Sequence, residues 1–231
     1  MPHPLMMFAA GFGTRMGTLT ANQPKPLIEV AGKPLIDHAL ALCNRDYVDQ
    51  IVINLHYRGA QIRQHLSEQD VLFSEEQPDV LETGGGLRQA LPLLGNRPVF
   101  TLNTDAVWTG KNPLYTLSDH WDPDKMDALL LLIPQQNAQG HTGLGDFALS
   151  ETGQLTREPG HVYTGTQIIK TDMLADFSQS SFSLNLCWDR MQNTGRLYGV
   201  LHDGGWCDVG QPESINLAEN MLTNDPISHV G

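Results

Sequence analysis

The chain has 231 residues and a formal net charge of −12, with 40% hydrophobic and 17% charged residues, ordinary proportions for a folded domain. That length supports one α/β domain with a sizeable core, or at most two small ones, and the acidic balance argues against a general binder of nucleic acid or anionic membranes. No window approaches the apolar length of a membrane-spanning helix, the N-terminus lacks signal-peptide character, and three scattered cysteines (Cys43, Cys187, Cys207) point to a reducing, cytoplasmic setting.

In chain order, residues 5–10 form an apolar run suited to a buried strand. The run breaks into Gly11-Phe12-Gly13-Thr14-Arg15. Two glycines there open backbone angles closed to other residues and let N–H groups converge on an anion. Arg15 adds a planar five-donor fork suited to phosphate, and Lys25 adds a point charge whose stem is aimed by Pro24 and Pro26. The stretch therefore reads as a grip for a nucleoside triphosphate. Two familiar alternatives fail on spacing. Gly17 comes one residue late for the dinucleotide fingerprint, and Gly32-Lys33 is followed by Pro34 instead of the hydroxyl residue of a P-loop.

Helical spacing follows over 34–44, then a β-branched strand over 50–55, a short helix over 59–66, a strand over 71–74, and a helix over 85–94 after a glycine-rich turn. Residues 98–102 (PVFTL) read as a buried strand ending in Asn103-Thr104-Asp105, before a helix over 113–121 and the apolar run 128–133 (ALLLLI). Strands alternating with helices predict an α/β fold, a Rossmann-like three-layer α/β/α arrangement with a mostly parallel sheet and ligands at the carboxyl ends of the strands. The Gly11 loop and Asp105 both fall at such ends, so one crevice can hold both. Beyond about residue 135, six glycines between 140 and 165 and short alternating pieces predict a hairpin excursion, a small β-rich lobe beside the main sheet. A strand over 162–170 with Gly165 inside it, helices over 171–177 and 183–192, a strand over 197–201 and a helix over 211–222 complete the chain. The expectation is one domain over 1–231, divided near residue 134 into a nucleotide-binding half and an acceptor half.

Asp105 and Asp208 are aspartates of the type that hold magnesium, which prefers hard oxygens and keeps waters and phosphates as further ligands; each alone also suits a turn or helix cap. Leu81-Glu82-Thr83-Gly84-Gly85-Gly86 leaves backbone groups uncovered, a surface suited to reading the edge of a base. The nine histidines show no metal-ligand spacing. No G-x-S-x-G nucleophile motif occurs, which fits direct displacement.

The stretch FAAGFGTRMGTLTANQPKPL resembles the signature of the sugar-1-phosphate nucleotidyltransferases, with Phe8 in place of the usual leucine. The resemblance runs from Leu5 to about Leu222. It implies the nucleotide-diphospho-sugar transferase fold and the transfer of a nucleoside monophosphate from a nucleoside triphosphate to a sugar 1-phosphate, with release of pyrophosphate. The N-x-D and W-x-D-V-G-Q-P segments imply Mg2+ on Asp105 and Asp208. Nucleotide contacts are implied for Ala9, Ala10, Gly11, Gly13, Thr14, Arg15, Lys25, Glu82, Thr83, Gly84, Gly85 and Asn103, with Arg15, Lys25 and Asp105 in catalysis. Sugar-phosphate contacts are implied for Asp105, Tyr163, Thr164, Gly165 and Thr166. Where relatives carry E-K-P this chain has Arg157-Glu158-Pro159, so either Arg157 or Lys170 would supply the acceptor-phosphate cation. The E-T-G-G-G form followed by A-L-P-L-L resembles the N-acetylmuramate-1-phosphate uridylyltransferases, which favours UTP and N-acetylmuramate 1-phosphate. GTP with mannose 1-phosphate, glucose 1-phosphate with a pyrimidine triphosphate, and a catalytically silent nucleotide-sugar sensor are the alternatives. Nucleic acid and membrane are not expected as partners, and the chain is expected to be a monomer or small homo-oligomer.

Overall fold

The computed structural model describes residues 1–224; the tail of the expected domain, 225–231, lies outside the described residues. The N-terminal apolar run becomes β1 (His3–Phe8). After the glycine loop, a hairpin of β2 (Glu29–Val30) and β3 (Lys33–Pro34) leads into α1 (Leu35–Leu40). There follow β4 (Val48–Leu55), α2 (Gly59–His65), β5 (Leu72–Glu75), α3 (Glu82–Leu94) and β6 (Val99–Asn103). Next come β7 (Ala106–Trp108), α4 (Pro113–His120) and β8 (Ala128–Ile133). The Asn112 side chain accepts from the N–H groups of Leu114 and Tyr115, a cap that starts α4. The rest of the chain supplies β9 (Ala138–Gln139), β10 (Phe147–Leu149), β11 (Leu155–Ile169), α5 (Asn185–Asn193), β12 (Leu197–Leu201), β13 (Trp206–Asp208) and α6 (Glu213–Asn224).

The main sheet has the order β12-β8-β11-β6-β1-β4-β5, with β10 paired to β11. β1 is parallel to both β4 and β6, β5 to β4, and β12 to β8, whereas β11 runs antiparallel between β6 and β8. The mostly parallel α/β sheet read from the alternating pattern is thus the one that forms. The period-two alternation of each strand then feeds two cores. Leu5, Met7, Ile51, Ile53 and Leu129 face Ile36 and Ala39 of α1, Ile62 of α2 and Leu114 of α4. On the other face Met6, Val52, Leu130 and Leu132 meet Leu87, Ala90 and Leu94 of α3 and Cys187 and Met191 of α5. Every residue of β8 is buried, because both faces are covered. Burying one such leucine contributes about 2 kcal/mol.

The local differences from the sequence reading have identifiable causes. Helix α3 begins at Glu82, so the glycine triplet lies inside it and not in a turn before it. The helix expected over 171–177 is one 3-10 turn, Asp172–Asp176. A second, three-stranded sheet, β7-β13-β9, has no counterpart in the sequence reading. It packs with α6 around a third small core of Met16, Ile28, Val107, Cys207 and Val209. Among the described residues, no helix is long and apolar enough to cross a membrane.

Candidate active site

At the end of β1 the chain leaves the sheet, and the Ala9 N–H donates to Asn54 Oδ1 at 2.7 Å. Gly13 sits at φ 63°, where a Cβ would lie 2.8 Å from Lys25 Cβ, so the loop folds directly over the lysine stem. Gly11 differs from the reading of two special backbone angles: its φ is not positive, and a Cβ there would meet nothing within 4 Å. A 3-10 segment, Thr14–Thr20, then carries Arg15 to the rim, with Thr20 Oγ1 donating to the carbonyls of Gly13 and Gly17. Pro24 precedes a second 3-10 turn, Lys25–Leu27, that contains Pro26, and the buried Lys25 places Nζ 2.8 Å from Asp105 Oδ2. Ala9, Ala10, Gly13, Thr14, Arg15 and Lys25 line a crevice of about 320 Å³. Glu82, Thr83, Asn103 and Asp105 form the facing walls.

The two aspartates are brought together by strands that pair across the chain. Thr104 Oγ1 donates to the Phe8 carbonyl at 2.8 Å and ties the ends of β6 and β1. β7 leaves at once after Asp105 and pairs antiparallel with β13, which sets Asp208 opposite Ala106. The Val209 N–H donates to the Asp105 carbonyl at 2.8 Å. A Cβ on Gly210 would lie 2.9 Å from Asp208 Oδ2 and 3.2 Å from Arg15 Nη1, so only glycine lets these two groups approach. Burial first, and then the Asp105 carboxylate, push Asp208 above the usual carboxylate pKa, against the pull of Lys25, Arg15 and His141. No group of three or more His, Cys, Asp or Glu side chains suited to a metal occurs among the described residues. The donor set nevertheless suits a hard divalent cation. Two neighbouring carboxylates, one of them destabilised by the other, gain from a shared positive charge, and phosphates and waters can complete the shell.

Other expected residues are placed differently. Glu82 and Thr83 line the crevice, and Glu82 adopts the left-handed region at φ 58°. Gly84 and Gly85 do not line it, because their N–H groups both donate to the Phe182 carbonyl, at 2.8 and 3.1 Å. A Cβ on either would collide with the Ser180–Phe182 strap, which Arg88 also clamps through the carbonyls of Phe177, Gln179 and Ser180. These glycines admit a packed segment and offer no free edge to a base.

In β11, Thr164 Oγ1 donates to the Leu131 carbonyl and Thr166 is fully buried, so neither hydroxyl faces the crevice. The Tyr163 ring packs on Trp188 at 4.8 Å. Gly165, at φ 80°, backs onto Asn103; a Cβ would lie 2.5 Å from Asn103 Nδ2. Lys170 is at the opposite end of the sheet, bonded to Asp127 at 2.9 Å and to the Pro123 carbonyl. Arg157 pairs with Asp189 at 3.1 Å and lies over the Phe147 ring. Both cations expected for an acceptor phosphate are therefore engaged by the protein. The crevice also includes Asn54, Glu76, Val80, Thr104 and Gly210. Of these, Asn54 carries a sequence signal, a polar residue near the end of the apolar strand QIVINL.

The chain has relatives among known proteins. A model of the MobA-like NTP transferase domain matches residues 6–160. The chain is 37% identical to an N-acetylmuramate alpha-1-phosphate uridylyltransferase of Caulobacter vibrioides, over 96% of this chain and 97% of the relative. It is 33% identical to a protein described by the same name in Neisseria meningitidis serogroup B, over 89% of this chain and 92% of the relative. Among solved structures, a putative glucose-1-phosphate thymidylyltransferase from Bacillus anthracis superposes with a TM-score of 0.80 at 16% identity, covering 98% of this chain and 97% of that one, and shares the fold. With a family model over most of its length and full-length relatives above 30% identity, this chain belongs to the NTP transferase family with the MobA-like domain.

Proposed function

We propose that the protein transfers uridylate from UTP to N-acetylmuramate 1-phosphate, releasing pyrophosphate and forming a UDP-linked amino sugar acid. The observation that carries the reading is the Lys25–Asp105 pair at 2.8 Å, opposite Arg15 and beside Asp208, in a crevice lined by the glycine loop. In this reading Arg15 and the loop from Ala9 to Thr14 hold the β- and γ-phosphates, and Lys25 offsets the charge that grows on the α-phosphate. An oxygen of the sugar phosphate attacks the α-phosphorus in line, and the bond to the β-phosphate oxygen breaks. The attacking oxygen is already anionic, so alignment and charge neutralisation do most of the catalysis and no strong general base is needed. Mg2+ bound to Asp105 and Asp208 would supply a Lewis acid for the phosphate oxygens. Glu82, Thr83 and Asn103 border the nucleoside.

The acceptor side departs from the family pattern. Since Arg157 and Lys170 are engaged elsewhere, we assign the acceptor phosphate to the Asp105–Asp208 end of the crevice. Three free cysteines, at Cys43, Cys187 and Cys207, suit a cytoplasmic enzyme, here one of cell-wall recycling. The test is pyrophosphate release with magnesium, crossing UTP, GTP, dTTP and CTP with N-acetylmuramate, mannose and glucose 1-phosphates. Release with UTP and N-acetylmuramate 1-phosphate is expected. Preference for GTP with mannose 1-phosphate would overturn the substrate pair, and silence with nucleotide still bound would overturn the catalytic reading.

A further inference from the structure

A fully buried carboxylate lies in the floor of the crevice, held by neutral donors. Glu76 has no solvent exposure, and each of its oxygens accepts one hydrogen bond, Oε1 from Asn54 Nδ2 at 2.6 Å and Oε2 from the Leu81 N–H at 2.7 Å. Asn54 is itself 3% exposed, and its Oδ1 accepts from the Ala9 N–H. The donors fix the amide orientation, because a backbone N–H at Ala9 must meet oxygen, which turns Nδ2 toward Glu76. A continuous chain of bonds therefore runs from Ala9 through Asn54 and Glu76 to Leu81. The Glu76 backbone is pinned as well, its N–H to the Leu55 carbonyl and its carbonyl to the His56 ring.

The two ends of this chain are the two halves of the nucleotide site. Ala9 opens the glycine loop, and Leu81 precedes Glu82, which holds the left-handed backbone that an L-residue adopts only where its surroundings enforce it. The third glycine of the triplet is explained by the same feature. A Cβ on Gly86 would lie 2.5 Å from Glu76 Oε1 and 3.1 Å from Asn54 Nδ2. A glutamate is required because two donors converge on it; a glutamine would turn its amide toward one of them. Removing a carboxylate from water is costly unless its bonds are made, and here they connect the loops that leave the ends of β1 and β5.

We propose that Asn54 and Glu76 are positioning residues that set the turn around Glu82 relative to the phosphate loop, and so govern which nucleobase the triphosphate grip accepts. This rests on the proposed nucleotide site. Combining Asn54→Asp with Glu76→Gln rebuilds the same pattern with the carboxylate moved one place. The carboxylate introduced at position 54 would accept from the Ala9 N–H and from the new amide at position 76, whose carbonyl would in turn accept from the Leu81 N–H.

The test compares wild type, Asn54→Asp, Glu76→Gln and the double variant by steady-state pyrophosphate release and by calorimetric binding of UTP, CTP, GTP and dTTP, with thermal midpoints alongside. Each single change leaves one like pair facing, carboxylate to carboxylate or donor to donor. It should raise the KM for the preferred nucleotide about tenfold, erode its preference over CTP by a similar factor, and leave kcat within about threefold. The double variant should return to within about threefold of wild type on both measures. A folded Glu76→Gln protein with unchanged KM and base preference would overturn the proposal. So would a fall in kcat alone, a double variant carrying the product of both defects, or a double variant that does not fold. If the singles are too unstable to assay, the double carries the test. Wild-type binding separates this from the functional reading: selection of another base sinks uridylate transfer, while the relay is still judged on the base that is selected.

Discussion

Two clusters of ionic side chains in this molecule use the same distances for opposite ends. At the start of β8, Asp127 receives Lys170 and Arg196, each at 2.9 Å. Its burial alone would raise the carboxyl pKa, but the hydrogen bonds from Lys170 and Arg196 outweigh it and hold the group below the usual carboxylate value. At the crevice wall Lys25 meets Asp105, and burial together with the Asp105 carboxylate pushes the neighbouring Asp208 upward. The first cluster has a surplus of cation and is electrostatically finished. In the second, burial and the Asp105 carboxylate leave Asp208 ill at ease despite Lys25 and Arg15, so a ligand that brings positive charge is welcome there. A protein that only needed stability would not leave Asp208 so placed, which makes the buried, crowded carboxylate a better marker of a site than the ion pair itself.

The contrast can be broken by substitution. Lys25→Ala should lower kcat/KM by at least about a hundredfold, with only a small change in unfolding midpoint, checked by pyrophosphate release and calorimetry. Full activity in the folded variant would remove Lys25 from the chemistry. Asp208→Asn should cost about tenfold to a hundredfold in turnover yet leave the protein no less stable, since folding already disfavours the charged form there. A clear drop in the unfolding midpoint would show that the carboxylate is structural. Lys170→Ala should do the reverse, lowering stability by about 1 kcal/mol while kcat/KM stays within about twofold.

The smallest effects concern pH. His202 is buried, donates from Nε2 to the Thr109 carbonyl, and has its pKa lowered chiefly by burial. His3 and His38 are lowered for the same reason. The unfolded chain binds more protons than the folded one below about pH 6.5, so stability is full above that value and falls as pH drops toward the folded pKa values. Denaturant midpoints should decline through this window, and His202→Gln should flatten the decline.

Much of this arrangement was legible in the residues themselves. The apolar run, the glycine loop, Arg15 and the Pro24-Lys25-Pro26 frame are contiguous, so local chemistry implied their role, and Asp105 and Asp208 stand in short distinctive segments. What escaped depends on approach from elsewhere in the chain. Nothing in E-T-G-G-G tells that Phe182 and Ser180 press on the first two glycines and Glu76 on the third. Arg157 and Lys170 look like free cations until Asp189 of α5 and Asp127, just before β8, meet them. Glu76 sits in Glu75-Glu76-Gln77, which reads as a solvated run although one of its carboxylates is wholly enclosed. The β7–β13 pair joins two three-residue strands separated by most of the second half of the chain, too short for either to announce itself.

The antiparallel strand β11 has a consequence for synthesis. It is wedged between β6 and β8, so Val99–Asn103 keeps an open backbone edge until the far end of β11 has left the ribosome. Every strand up to β8 is made before that point, and the face packed on α3 still waits for α5 to complete its cover. A nascent chain halted near residue 134 would therefore present a long, sticky sheet margin of the kind that recruits other chains. The first 134 residues are a part of the sheet that cannot be cut away from it, and chaperone demand should concentrate in that interval of translation.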